Sequence, residues 1–248
     1  MARRLYLDTS ESNFISLTSN NADSSWILPD ITSLMATHYS VELIDCSIPV
    51  TQHCFVSGVN TTVKFTENSG AVQTFEITAG TYTGSEIASH LATKLTSTSG
   101  VVSYSGSFSD ITKKITLITT IPDDFTIEST STCLKELGFT AANATTGVSQ
   151  ISVNVVNLLG TRYLDLVVNF NTHSVAPNGK MNILHRVHID QPVGGVVFYN
   201  NNFSKGMVTI NSESIRQLEI RLYDENNTLY TIPDNHRVSY TLLLTPLD

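Results

Sequence analysis

Apolar and polar residues alternate with a period of two through most of this 248-residue sequence. In a β-strand successive side chains point to opposite faces of the sheet, so each such run places its apolar residues on one face. Thr is frequent in these runs, and its branched β-carbon suits a pleated sheet. The pattern predicts a mainly β protein built from half-buried antiparallel strands. The clearest runs cover 39–43, 61–65, 72–77, 114–117, 151–155, 218–222 and 238–242.

Two segments break this pattern and predict helices. Thr83 and Glu86 have the spacing of a capping box, in which each side chain binds the backbone amide of the other residue. Apolar residues follow at helical spacing up to Leu95, which predicts a helix of about four turns. A shorter helix is predicted at 132–137, because Gly138 follows it as a C-cap.

Both predicted helices lie between two outer regions that contain only strand patterns. We therefore predict an inserted hairpin–helix–hairpin–helix module at 61–147, with its first hairpin turning at Asn68-Ser69-Gly70. The flanking regions, 1–60 plus 148–248, supply eight or so strands with long connections. An antiparallel jelly-roll β-sandwich is the simplest fold for such a set.

Low charge excludes several classes of function. Only 15% of the residues are charged, against about 25% in an ordinary domain, and the net charge is -8. Ser and Thr together number 60 and supply much of the polarity. Direct nucleic-acid binding is not expected, because it requires clustered cations. No run of about 18 apolar residues occurs, so no transmembrane segment is predicted.

The cysteines and the first residues bear on the compartment. Cys46, Cys54 and Cys133 form neither a CxxC pair nor a plausible disulfide framework, which favours folding in a reducing interior. Arg3 and Arg4 are not followed by an apolar segment, so no signal peptide is predicted.

The histidines and carboxylates show no catalytic pattern. His185 and His188 are three residues apart on a predicted strand, where they point to opposite faces and cannot share a metal ion. Asp123-Asp124 is interpreted as part of a turn, and Asp224–Asn227 as a hairpin turn without the ligand spacing of a calcium loop. We expect no catalytic, cofactor-binding or metal site, and hence no enzyme.

A few other residues stand out by type. Lys113-Lys114 is interpreted as a solvated hairpin tip facing Asp110, and the three cysteines lack the partners of a nucleophile. Trp26, the single tryptophan, is expected in the core, with an interface anchor as the alternative.

Three N-terminal segments carry a family resemblance. They are the Asp/Ser-rich stretch 7–14, Trp26–Ile31, and 39–49, which ends in Ile48-Pro49. Together they resemble the N-terminal region of penton or minor capsid proteins from icosahedral double-stranded DNA viruses of the virophage, polinton-like and nucleocytoplasmic large DNA virus group. The stretch from Ile77 to Phe139 is similar to an inserted module of some such proteins. The final strand patterns, 218–223, 229–232 and 238–244, are similar to the last strands of their jelly roll.

The resemblance implies a structural virion protein. Such a subunit forms a homopentamer at the five-fold vertices and contacts a major capsid protein and other capsid components, without catalysis. It implies a location in the virion capsid after folding inside the host cell. The alternative is a glycan- or receptor-binding β-sandwich adhesin, for which Tyr199, Phe203 and Tyr230 are the candidate aromatic contacts. A hydrolase on the same scaffold is a third hypothesis, which the absence of a catalytic pattern disfavours.

Overall fold

The structure is a computed structural model that describes residues 2–10, 14–16, 20–28, 38–120, 123–140, 146–174, 176, 179–201, 207–211 and 217–247. Within these residues the chain forms strands and two helices, and it divides into two compact units. Unit 1 comprises residues 1–52 and 161–248, and unit 2 comprises residues 53–160. The sequence prediction places the two joins at 60/61 and 147/148, inside unit 2.

In the described residues of unit 1 there are ten strands: β1 Arg3–Asp8, β2 Phe14–Ser16, β3 Asp23–Ile27, β4 His38–Pro49, β11 Tyr163–Val168, β12 Ile183–His188, β13 Val196–Asn200, β14 Val208–Asn211, β15 Gln217–Tyr223 and β16 Ser239–Pro246. They form two five-stranded antiparallel sheets. Sheet 1 has the order β1-β16-β4-β13, with β14 also paired to β4, and sheet 2 has the order β12-β11-β15-β3-β2.

The alternating residues of both sheets meet in one core. Leu7, Tyr240 and Cys46 lie opposite one another on β1, β16 and β4, and all three are buried. Trp26 of sheet 2 is fully buried and makes an edge-to-face contact with Tyr240, at 5.9 Å between ring centroids. The expectation that Trp26 packs in the core is confirmed, and the mainly β fold class is confirmed with it.

The described residues of unit 2 form the elements β5 Thr62–Glu67, β6 Gln73–Glu76, α1 Gly84–Ser99, β7 Tyr104–Ser109, β8 Lys114–Thr119, β9 Phe125–Ile127, α2 Leu134–Leu137 and β10 Ser149–Ile151. The six strands pair in two three-stranded antiparallel sheets. Sheet 3 has the order β10-β8-β7 and sheet 4 the order β6-β5-β9.

Helix α1 begins at the capping box that the sequence predicts. The Thr83 side chain accepts a hydrogen bond from the Glu86 amide, and the Glu86 carboxylate accepts one from the Thr83 amide at 2.8 Å. Gly100 closes the helix at φ 68°, a conformation that glycine adopts without a steric penalty. The helix packs so tightly on β7 that a β-carbon at Gly106 would lie 2.1 Å from the Ala88 carbonyl oxygen.

The first hairpin and the short second helix are also confirmed. Asn68 and Ser69 have φ values of 47° and 60°, and the Gly70 amide donates to the Glu67 carbonyl at 2.7 Å. Two consecutive positive φ values define a type I′ turn, whose twist matches that of the flanking strands. Gly138 follows α2 at φ 74°. The sequence also predicts a turn at Pro177-Asn178-Gly179, of which Pro177 and Asn178 lie outside the described residues.

One predicted strand is wrong. The alternating run 151–155 contributes only Ile151 to β10, which ends there. The amides of the next residues donate to carbonyls on different elements: Ser152 to Ile115, and Asn154 to Gly138. The backbone of segment 152–156 is therefore held by separate hydrogen bonds to different parts of unit 2, and it does not continue the strand pairing of β10.

The core also explains where the compact units divide. Cys54 and Phe55 are buried in the apolar cluster of unit 2, and Val156 and Leu158 pack against the same cluster. These residues come before 61 and after 147, in regions that the sequence pattern assigns to the sandwich.

Two buried tyrosines of unit 1 differ in hydrogen bonding, and this difference gives the first prediction. The Tyr240 hydroxyl has no partner among the described residues, whereas the Tyr230 hydroxyl accepts from the Thr51 amide at 3.0 Å. Tyr240→Phe should keep the free energy of unfolding or raise it by about 1 kcal/mol, and Tyr230→Phe should lower it by about 1–3 kcal/mol, because only the second leaves a partly buried amide unpaired. Urea unfolding followed by Trp26 fluorescence measures both in unit 1. Equal losses in the two variants would contradict the prediction.

Candidate interaction surfaces

The two histidines of interest lie on β12 with different neighbours. The His185 ring is 4.5 Å from the Tyr199 ring, and the His188 ring is 6.2 Å from the Tyr163 ring. Burial lowers the pKa of His185, and the nearby His188 adds to the effect. Within the part of the chain that the structure describes, no group of three His, Cys, Asp or Glu residues could hold a metal ion.

The three cysteines are free and buried. Burial is the largest effect on each thiol; it raises the pKa of Cys54 to about 11, with a further contribution from Glu136. The pKa values of Cys46 and Cys133 are raised to about 12. A thiol that stays protonated at neutral pH is a poor nucleophile and a poor metal ligand, so these side chains serve as small core residues.

The carboxylate pairs take the roles expected of turns. Asp123 accepts from the Asn68 side chain at 3.1 Å, and the Asp124 amide donates to the same Asn68 side chain at 3.2 Å. The Asp224 carboxylate accepts from the amides of Asn226 and Thr228, which closes the turn between β15 and the segment after it. Lys113 lies 3.5 Å from Asp110 at an exposed hairpin tip.

The aromatic residues named for a glycan-binding site do not form one. Tyr230 is fully buried, and Tyr199 lies on β13, partly buried against the core of unit 1. Phe203 lies outside the described residues. The two described rings are therefore not on exposed loops, where an aromatic platform for sugars would have to be.

Sheet 1 carries two exposed aromatic residues that the sequence analysis does not identify. Tyr6 of β1 is 64% exposed and Phe198 of β13 is 79% exposed, and both point away from the core because Leu7 and Val197 point into it. The sequence feature that could have indicated them is a local break in the alternation of apolar and polar residues, because each of the two aromatic residues has apolar neighbours on both sides. Phe198 lies opposite Ser47, which in turn lies opposite Ser239. This outer face of sheet 1 presents exposed aromatic rings, and aromatic residues are enriched in protein interfaces.

A buried charged cluster, the Asp165 cluster, lies on sheet 2. Asp165 is fully buried between β12 and β15, and its carboxylate accepts two hydrogen bonds from Arg186, at 2.7 and 3.1 Å. The buried Lys180 ammonium donates to the same carboxylate at 2.9 Å and to the Asp224 carbonyl at 2.9 Å. The Arg186 guanidinium also stacks on the Tyr163 ring at 3.9 Å.

The cluster holds Asp165 in its charged form. Burial by itself raises the pKa of Asp165, but hydrogen bonds from Arg186 and Lys180 outweigh it, so the pKa lies below its ordinary value of 3.8. The bidentate Arg186 contact and the Lys180 bonds fix the loop between β11 and β12 against sheet 2. Nothing in the sequence signals this cluster, because its members come together only through the strand register.

Comparison with known proteins places the fold. No family model and no curated protein matches the chain. Among solved structures, the crystal structure of the mavirus penton protein is similar to this chain. The similarity covers 99% of this chain and 100% of that chain, with a TM-score of 0.57 and 12% sequence identity. The chain therefore has the fold of a virophage penton jelly-roll protein. The predicted resemblance and the jelly-roll fold class are confirmed.

The Asp165 cluster gives the second prediction. Asp165→Asn should lower the free energy of unfolding of unit 1 by about 3–5 kcal/mol, because it leaves the buried Lys180 without a carboxylate. The matched variant Glu225→Gln, which breaks a partly exposed pair with Arg162 at 3.6 Å, should cost about 1 kcal/mol or less. Urea unfolding followed by Trp26 fluorescence compares the two. Similar losses would show that burial of the cluster contributes nothing.

The third prediction concerns the pH dependence of the stability that Asp165 provides. The pKa of the Asp165 carboxyl is lowered from its ordinary value of 3.8. The charged carboxylate therefore stabilises the fold fully at pH values above 3.8, and this stabilisation is lost as the pH falls through the lowered pKa. The stability difference between the natural chain and Asp165→Asn should therefore stay constant from pH 7 to about pH 5 and shrink only below about pH 4. Unfolding midpoints at several pH values measure this difference. A difference that shrinks already between pH 7 and 5 would assign the effect to another group.

Proposed function

We propose that this protein is a structural capsid subunit of the penton type. The observation that carries the proposal is the end-to-end similarity of its fold to a penton protein, which covers both chains almost completely. At 12% identity that similarity defines the fold, so the role itself has to be argued from surfaces and tested.

The surface chemistry supports a subunit that is covered by neighbours. Burying a charged side chain between subunits incurs a desolvation penalty, and only 15% of this chain is charged. The outer face of sheet 1 offers the exposed rings of Tyr6 and Phe198 among Ser and Thr side chains. Aromatic residues are enriched in interfaces, where they bury a large area at a low entropic cost.

We infer further that unit 2 is a module inserted into the jelly roll, as the strand patterns predict. Gln52 and Thr161, the residues of unit 1 at the two chain crossings, are linked by a side-chain hydrogen bond of 3.3 Å. The Thr51 and Gln52 amides also donate to the Tyr230 hydroxyl. The chain therefore leaves and re-enters unit 1 at neighbouring, anchored residues, as an insertion requires.

The partners follow from the proposed role. The subunit closes into a homopentamer at a five-fold vertex and contacts a major capsid protein and other capsid components, so it is located in the virion capsid. It folds in the reducing interior of the host cell, consistent with three free cysteines. It acts without catalysis, without a cofactor and without direct contact to nucleic acid. Among the described residues, no helix is long and apolar enough to cross a membrane.

Measurement of the mass in solution tests the proposed function. A ring closed by a heterologous interface contains a fixed number of copies, and five chains of 27.1 kDa should give a species of about 136 kDa. Light scattering coupled to size exclusion measures this mass directly. A species that stays at 27.1 kDa at all concentrations, and that binds a glycan on an array, would instead support the adhesin alternative.

A further inference from the structure

The two edge strands of sheet 1 each carry one exposed aromatic residue, Tyr6 on β1 and Phe198 on β13. Within the described residues, β1 pairs only with β16, and β13 pairs only with β4. Each strand therefore has a second side that no described strand covers. Such an edge presents unpaired backbone N–H and C=O groups, which can bind a strand of another chain.

On β1 alternate residues form the free edge. The Thr9 amide donates to the Val238 carbonyl at 3.1 Å, which continues the pairing of β1 with β16. Hydrogen-bonded and non-hydrogen-bonded pairs alternate along an antiparallel ladder, so residues 4, 6 and 8 turn their backbone groups away from β16. The Asp8 carbonyl accepts from the Trp26 indole at 3.3 Å. The part of this edge that is open to a partner is therefore residues 4–6.

The same rule defines the free edge of β13. The Asn201 amide donates to the Ile44 carbonyl at 2.7 Å, which continues the pairing of β13 with β4. Residues 196, 198 and 200 therefore turn their backbone groups away from β4. Strand β13 contains no charged residue and no proline, although proteins commonly place these on an edge that has to stay without a partner. This edge has the composition of one that another strand covers.

The opposite edge of the same sheet fits β13 in direction and in face. Every strand pair along the path β1-β16-β4-β13 is antiparallel, so β1 and β13 run in opposite directions. When β13 of one copy lies beside β1 of a second copy, the two strands are antiparallel and sheet 1 continues across the junction. Tyr6 and Phe198 both turn their backbone groups to a free edge and their side chains to the outer face. They can therefore form a hydrogen-bonded pair with both rings on one face.

One register matches apolar residues on both faces of the continued sheet. With Tyr6 opposite Phe198, the two rings form a cross-strand aromatic pair on the outer face. On the inner face the same register places Leu5 opposite Tyr199, and both residues are partly buried against the core of unit 1. A shift by one residue would place inner-facing residues opposite outer-facing ones.

We propose that β13 of one copy pairs with β1 of the next copy in this register, so that sheet 1 continues from subunit to subunit. The contact joins two different edges and is therefore heterologous, which is the kind of contact that closes a ring. Each copy has one edge of each kind and so binds two neighbours. This inference rests on the proposed function, because it identifies the interface of the proposed ring.

A disulfide between the two edges tests the contact. Across a hydrogen-bonded pair the Cα atoms are about 5.5 Å apart, which a disulfide can span. Within one copy the two positions are three strand spacings apart, about 14 Å, which it cannot span. The native cysteines are buried. After mild oxidation, the double variant Tyr6→Cys with Phe198→Cys should therefore link copies, up to about 136 kDa on a denaturing gel.

Three control variants fix the partner and the register. Phe198→Cys alone and Tyr6→Cys alone should stay at 27.1 kDa. Linked pairs of either single variant would show that an edge pairs with itself, which would overturn the proposal. In Tyr6→Cys with Val196→Cys the second thiol is shifted by two residues, to a diagonal distance of about 7–8 Å. Linking as fast as in the first double variant would contradict the proposed register.

A charge on the edge tests the contact without cross-linking. Phe198→Lys should raise the concentration at which the ring dissociates by about tenfold or more in light scattering. Met181→Lys is the matched control, because Met181 is 61% exposed in unit 1 and lies outside sheet 1. Its ring should be unchanged. Unfolding midpoints verify that both variants are folded, and equal ring stability in the two would overturn the proposal.

The outcomes separate this inference from the proposed function. If a species of about 136 kDa forms but the double variant does not link, the contact is wrong and the capsid function stands. If the double variant links copies into an open series and no ring of fixed mass forms, the edge pairing stands and the proposed ring is wrong. If the chain stays at 27.1 kDa and nothing links, both are wrong.

Discussion

The pairing of β16 between β1 and β4 is the contact on which unit 1 depends. Strand β16 lies near the end of the chain and joins a strand at residues 3–8 to one at 38–49. Without it sheet 1 would separate into an isolated β1 and a β4–β13–β14 sheet. Because most of the chain separates these partners, the sheet closes only if the ends of unit 2 are held together. A side-chain hydrogen bond joins Gln52 and Thr161, the unit 1 residues at these two ends.

Buried polar groups then decide the detailed arrangement of strands that the apolar pattern leaves open. The Asp165 cluster ties the β11–β12 loop to sheet 2, and the Tyr230 hydroxyl ties the residues before unit 2 to the segment after β15. In unit 2, Gln150 and Ser152 fix the register of β10 against the preference of its apolar residues. Each of these groups is satisfied by particular partners on other elements, so a shifted register would lose those hydrogen bonds.

Prediction from the sequence succeeded where structure is set locally and failed where it is set by partners. The capping box at Thr83, the turn at Asn68-Ser69 and the C-cap at Gly138 involve residues within four positions of each other. The run 151–155 satisfies the same alternation rule, yet Phe125 and Ile115 select the opposite face for it. The exposed rings of Tyr6 and Phe198 were missed for a similar reason, because only the sheet shows which neighbour points inward.

The sequence by itself determined a mainly β chain with one capped helix and few charges. These properties follow from side-chain periodicity and composition, which a linear chain already contains. The tertiary structure alone decided which apolar residues face solvent and which charges are buried together. That decision depends on strand register, because a shift of one residue exchanges the two faces of a strand without changing its sequence.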